Sequence, residues 1–106
     1  MRARSARRIL RSSPRSERAL YGMAIVYSNL RKPDPAEEYF KKTLALARDL
    51  RLVTWSHIYL GRIYDLNGER KKALVEYHAA ALTAPAYPDA LRAVQNGLAR
   101  AYGSKE

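Results

Sequence analysis

Few residues in this chain have the type and spacing that chemistry requires. His57 and His78 are the only histidines, and Cys is absent. That excludes disulfides, zinc–thiolate sites and cysteine nucleophiles. Glu76 and His78 are two positions apart, and residues so spaced on a helix point to different faces, so they make no metal pair. Asp65, three residues from Arg62, reads as a surface ion pair worth well under about 1 kcal/mol. Gly22, Gly61 and Gly97 stand singly inside apolar-periodic segments. They suit close helix packing and do not make a glycine-rich phosphate loop. No catalytic residue, metal or cofactor is expected, and the chain does not read as an enzyme.

Charge is the other chemical resource. The net charge is +10, and it is unevenly placed. Residues 1–18 hold seven Arg against a single acid, Glu17, and so carry +6 of it. Three readings fit that segment: a solvated helix or frayed tail, a surface for anionic partners such as acidic proteins, nucleic acid or lipid headgroups, and a cleaved organellar presequence. Ile9-Leu10 is too short an apolar core for a secretory signal. The apolar runs are only a few residues long, against the roughly 20 needed to span a bilayer. A cytoplasmic location is the default expectation. Lys41-Lys42 and Arg70-Lys71-Lys72 read as exposed charges that pair with Glu37, Glu38 and Glu76.

These residues must be positioned by helices. At 106 residues the chain is the size of one domain and buries only about 60–65% of its unfolded surface. Breakers fall at Pro14, Pro33 and Pro35, Asn67-Gly68, Pro85 and Pro88, and Gly103. Between them the apolar residues recur with helical spacing. Leu20, Met23, Ala24, Tyr27 and Leu30 form one such stripe, and Leu91, Val94, Leu98, Ala99 and Tyr102 form the last. No segment alternates as a strand would. Helices are expected near 15–31, 35–50, 53–67, 70–84 and 88–102, with a short sixth in 2–12. Ser13-Pro14 and Asp34-Pro35 offer an N-cap followed by proline at the first helical position. Pro88-Asp89 offers a turn and a cap, and Gly68 can take the left-handed conformation that ends a helix. Short connections make neighbouring helices antiparallel.

The chain also repeats itself. Leu60-Gly61-x-x-Tyr64, Ala73-x-x-x-Tyr77-x-x-Ala80 and Pro85 have the spacing of the tetratricopeptide (TPR) repeat, which residues 54–87 resemble. Thirty-seven residues earlier, Met23-Ala24-x-x-Tyr27 and Ala36-x-x-x-Phe40-x-x-Thr43 lie on the same frame; thirty-eight later, Leu98-Ala99-x-x-Tyr102 matches its first half. Small residues in this frame let two helices approach, and large ones fill the space between pairs. His57 stands where the family has Trp, with Trp55 two residues earlier. Thr43 replaces a small Ala, Arg48 replaces the closing Pro, and Arg51-Leu52-Val53 lengthen the linker. The resemblance implies a right-handed α-solenoid: a basic partial helix or tail at 1–13, repeats at about 17–53 and 54–87, a leading helix at 88–103 and a tail at 104–106.

The TPR family holds peptides or partner helices in the groove lined by the first helix of each repeat. On that resemblance the partner-binding residues are Arg18, Tyr21, Ile25, Asn29, Trp55, Ile58, Tyr59, Arg62, Asn96 and Arg100. Guanidinium groups pair bidentately with carboxylates, and Tyr and Trp give contact area at little entropic cost. A protein or peptide partner, acidic and with apolar anchors, suits them. Tyr21 and Ile25 occupy positions where chaperone-binding members carry Lys and Asn, which disfavours that ligand. Trp55 and Tyr59 packing on the linker, and Arg18 and Arg100 as solvated charges, are the structural alternatives. A nucleic-acid or other polyanion partner for the Arg-rich segment is the alternative function. The final stripe, Leu91, Val94, Leu98 and Tyr102, has no second helix after it, which predicts self-association or docking to a parent protein through residues 88–102. The alternative is a monomer whose outer face Arg92, Gln95 and Arg100 make polar.

Overall fold

The computed structural model describes residues 16–104, and these form five α-helices and one 3₁₀ turn with no strand among them. The helices are α1 (Glu17–Asn29), α2 (Pro33–Leu46), α3 (Leu50–Leu66), α4 (Arg70–Ala81) and α5 (Pro88–Ala99). The 3₁₀ turn, Ala84–Ala86, lies between α4 and α5. The helix expected in 2–12 and the Ser13-Pro14 cap lie outside the described residues. Packing divides the chain into two units, one ending at Arg48 and the other beginning at Asp49.

In the first unit α1 packs on α2. The start of α1 meets the end of α2, where Arg48 N–H donates to Glu17 Oε2 at 3.3 Å. The end of α1 meets the start of α2, where Tyr27 stacks on Tyr39 at 5.7 Å. The pair is therefore antiparallel. Ala19, Leu20, Met23 and Ala24 of α1 and Ala36, Phe40 and Thr43 of α2 are buried between them. Thr43 takes the place of a small apolar residue at no polar cost, because its hydroxyl donates to the Tyr39 carbonyl at 2.8 Å.

In the second unit α3 and α4 form another antiparallel pair and α5 packs on both. His57 Nδ1 lies 2.8 Å from Glu76 Oε1 midway along the first pair. Thr54 and Thr83 hydroxyls meet at one end, and Asp65 and Arg70 at the other. Ile58, Ala80, Ala84, Ala90 and Val94 form an apolar cluster, with Trp55, Tyr87, Leu91 and Leu98 packed against it.

Most helix boundaries differ from the sequence expectation by one to four residues, α4 for example ending at Ala81, and four of the differences have a clear local reason. Ser16 caps α1, its side chain accepting from Ala19 N–H. Pro33 is the first residue of α2, so Asp34 sits in the first turn and not at the cap; a carboxylate there still complements the helix dipole. Asp49 caps α3, accepting from Arg51 N–H at 2.9 Å, and this draws Arg51, Leu52 and Val53 into the helix in place of a longer linker. The last helix stops at Ala99, because Arg100 is extended and Tyr102 N–H is directed to a carboxylate described below.

Two helices end the same way. After α3, Gly68 N–H donates to the Asp65 carbonyl and Glu69 N–H to the Tyr64 carbonyl, with Gly68 at φ +77°. After α1, Arg31 N–H donates to Ser28 and Lys32 N–H to Tyr27, with Arg31 at φ 59°. Both are Schellman turns. The second places a residue with a Cβ in the left-handed region, at a cost of about 1–2 kcal/mol.

Candidate functional site: an arginine-centred cleft

The site of the second unit is built around Tyr77, on α4. A Cβ at Gly61 would lie 2.6 Å from the Tyr77 ring, and one at Gly97 would lie equally close. The ring therefore occupies the space that two glycines leave between α3 and α5, and neither neighbour tolerates a side chain there. Its hydroxyl donates to Asp65 Oδ2 at 2.9 Å.

Asp65 is the hub. Its side chain is 0% exposed, which corrects the expectation of a surface pair with Arg62. The carboxylate instead accepts two bonds from Arg70 Nη1, at 3.1 and 3.0 Å. It also accepts the Tyr77 hydroxyl and, at 2.8 Å, Tyr102 N–H. Burial of a charge is tolerable only with such compensation. Arg70, read from sequence as an exposed charge, is held in this network and also donates to the Gly97 carbonyl at 2.7 Å. It thereby satisfies a carbonyl left open at the C-terminal end of α5. Burial first, and then the bond to Asp65, hold the Tyr77 phenol well above its ordinary pKa. Three helices are thus joined at one polar point.

Against this support lies Arg62. Its guanidinium sits 5.9 Å from the Trp55 ring centre, 5.7 Å from Tyr59 and 4.8 Å from Tyr102. Trp55, Tyr59 and Arg62 share one face of α3 because they are spaced four and three residues apart. Tyr102 meets the same group from the segment after α5, its backbone N–H bonded to Asp65. Arg62 lines an open cleft of ≈ 280 Å³ together with Tyr77, Asn96, Gly97, Arg100, Tyr102 and Ser104. Among the described residues Arg62 and Arg100 form no ion pair with a carboxylate.

The ten residues expected from the sequence to bind a partner divide accordingly. Trp55, Tyr59 and Arg62 come together, and Asn96 and Arg100 line the same cleft as Arg62. Ile58 does not belong with them: it is 0% exposed, in the apolar cluster. In the first unit Arg18 and Asn29 are exposed on α1, and Tyr21 and Ile25 are half-buried. Tyr21 meets Phe40 edge-on at 6.0 Å.

The apolar stripe of α5 is mostly consumed within its own unit. Val94 is buried, and Leu91 and Leu98 pack on the cluster, which leaves Ala99 and Tyr102, the latter 46% exposed, as its outward members. His57, half-buried against Glu76, acts as a tie between α3 and α4. His78 is exposed. The described residues contain no group of His, Cys, Asp and Glu able to hold a metal ion. No described helix is long and apolar enough to cross a membrane.

Asp65, Tyr77, Tyr102 and Gly97 were not singled out as site residues from sequence. For Asp65 a signal existed: it lies on the Ile58–Gly61 stripe, at i, i+3 and i+7, and therefore faces inward. Compared with protein-family models and with curated proteins, the chain matches none.

Proposed function

We propose that this chain is a helical-repeat interaction module of the TPR kind, an α-solenoid that holds a protein or peptide segment. The repeat reading draws support from equivalences 37 residues apart. Gly61, Ala73, Tyr77 and Ala80 are buried, and so are Ala24, Ala36, Phe40 and Thr43 at the matching positions. The Schellman turns after Tyr64 and Tyr27 fall on the same frame. Ala99 and Tyr102, which match Gly61 and Tyr64, are exposed, and no second helix follows them among the described residues.

The observation that carries the binding reading is the guanidinium of Arg62, oriented by three aromatic rings at the edge of a cleft. Rigid aromatic area next to a charged donor is the composition that dominates interface energetics. Stacking on rings fixes Arg62 in place, so a partner carboxylate or phosphate meets a preorganised fork at a small entropic cost. A cytoplasmic setting fits this role.

The test is selection from a random peptide library on the immobilised full chain, followed by affinity measurement. Enriched peptides should bind the wild type and lose at least about tenfold on Arg62→Ala or Trp55→Ala. No enrichment, or peptides indifferent to both substitutions, would remove the reading.

A further inference from the structure

The cleft beside Arg62 carries a more specific assignment, which rests on the interaction reading above. We propose that it is a subsite for a doubly charged oxyanion, a phosphoryl group borne on a partner peptide's side chain. Asp65 forms the buried support behind the cleft, and its charge is matched by Arg70, which contacts it through two bonds. Arg62 and Arg100 remain, both lining the cleft, and no acidic residue is among its lining groups. Among the described residues, two positive charges therefore line one small space with no carboxylate paired to them.

A phosphomonoester carries about −1.5 to −2 at neutral pH and offers three acceptor oxygens. It matches two guanidinium forks, whereas a single carboxylate leaves one of them unmatched. Asn96, also on the lining, adds a neutral donor for a third oxygen. At ≈ 280 Å³ the cleft is at or below the small end of ordinary ligand pockets, about 300–1,000 Å³. That size suits one side-chain group better than a nucleotide or an organic cofactor. The rings of Trp55, Tyr59 and Tyr102 beside Arg62 supply apolar contact for the flanking chain.

Trp55 is the sole tryptophan and lies next to Arg62, so its fluorescence reports occupancy. The full chain is titrated at constant ionic strength with phenyl phosphate, benzoate and inorganic phosphate. A second series uses a phosphoserine hexapeptide and its unphosphorylated form. Phenyl phosphate should saturate, and it should bind at least about tenfold more tightly than benzoate. Arg62→Gln and Arg100→Gln should each weaken it by about tenfold or more, with the far-UV circular dichroism unchanged. Lys71→Gln, an exposed charge on α4 outside the cleft lining, should leave it unaltered. Equal binding of phenyl phosphate and benzoate would overturn the assignment, as would equal sensitivity to Lys71→Gln. An RNA oligomer that displaces phenyl phosphate at lower concentration than the phosphopeptide would overturn the peptide source. If library-selected peptides bind through Trp55 and Arg62 while phenyl phosphate does not, the phosphoryl assignment fails and the interaction reading stands.

Discussion

Replacing Asp65 with Ala should unravel the second unit before it affects any surface property. The carboxylate accepts from Arg70, from the Tyr77 hydroxyl and from Tyr102 N–H, and its side chain is 0% exposed. Breaking a fully buried ion pair costs about 3–5 kcal/mol. Arg70 is 33% exposed and regains some hydration, which points to the low end of that range. The buried Tyr77 hydroxyl, left without an acceptor, adds about 1–3 kcal/mol, although these contributions overlap. A loss of about 3–4 kcal/mol is expected, a large share of the roughly 5–15 kcal/mol that holds a domain together. Asp65→Asn keeps an acceptor but not the charge and should cost about 1.5–2.5 kcal/mol. Tyr77→Phe should cost about 1 kcal/mol in the wild type, but should recover about 1 kcal/mol when Asp65 is already Ala, because it then removes a buried hydroxyl that has lost its acceptor. Urea unfolding followed by Trp55 fluorescence reads these values from the second unit itself. An Asp65→Ala loss below about 1 kcal/mol, the range of a solvated surface pair, would refute the buried hub.

The other perturbations act on packing, protonation and backbone strain. Gly97→Ala and Gly61→Leu push a side chain into the Tyr77 ring, which Asp65 holds in place, and each should destabilise by about 1–3 kcal/mol in the same urea assay. Because the Tyr77 pKa is raised on folding, its contribution is complete below the unfolded tyrosine pKa of about 10 and is lost as pH rises beyond it. Thermal melts should therefore fall more steeply above pH 10 for the wild type than for Tyr77→Phe, and parallel curves would exclude the mechanism. Arg31→Gly relieves a left-handed residue at φ 59° and should stabilise the first unit by about 0.5–1 kcal/mol in circular-dichroism melts. A destabilised variant would mean that the Arg31 side chain has a role of its own.

The helices were legible because their signal is local. Apolar residues at helical spacing, prolines near helix starts and Asn67-Gly68 at a helix end are properties of short windows, and α1 to α5 all fall where those windows placed them. The boundaries were less legible where a cap competes with a linker. Asp49 could be read as the end of one helix or the start of the next, and only its bond to Arg51 N–H decides between them. Part of the candidate site was readable from one helix face, since Trp55, Tyr59 and Arg62 recur along α3. The rest depends on groups brought together from 12 to 37 residues apart. Asp65 and Arg70 looked like ordinary surface charges because window reading assigns charge to solvent. By its position in the TPR frame Ile58 belongs to the groove, yet it lies 100° around the helix from Tyr59 and is buried in the apolar cluster.

Whether the arginine-centred cleft is where a partner binds can be read residue by residue. Backbone amide and Trp indole shifts of the full chain, recorded while a library-selected peptide is added, map the contact directly. The largest shifts should fall at Trp55, Tyr59, Arg62, Asn96, Arg100 and Tyr102, and they should vanish with Arg62→Ala while the fold is retained. Shifts concentrated instead on the outer face of α4, at Lys71, Val75 and His78, or within residues 1–15, would contradict this placement.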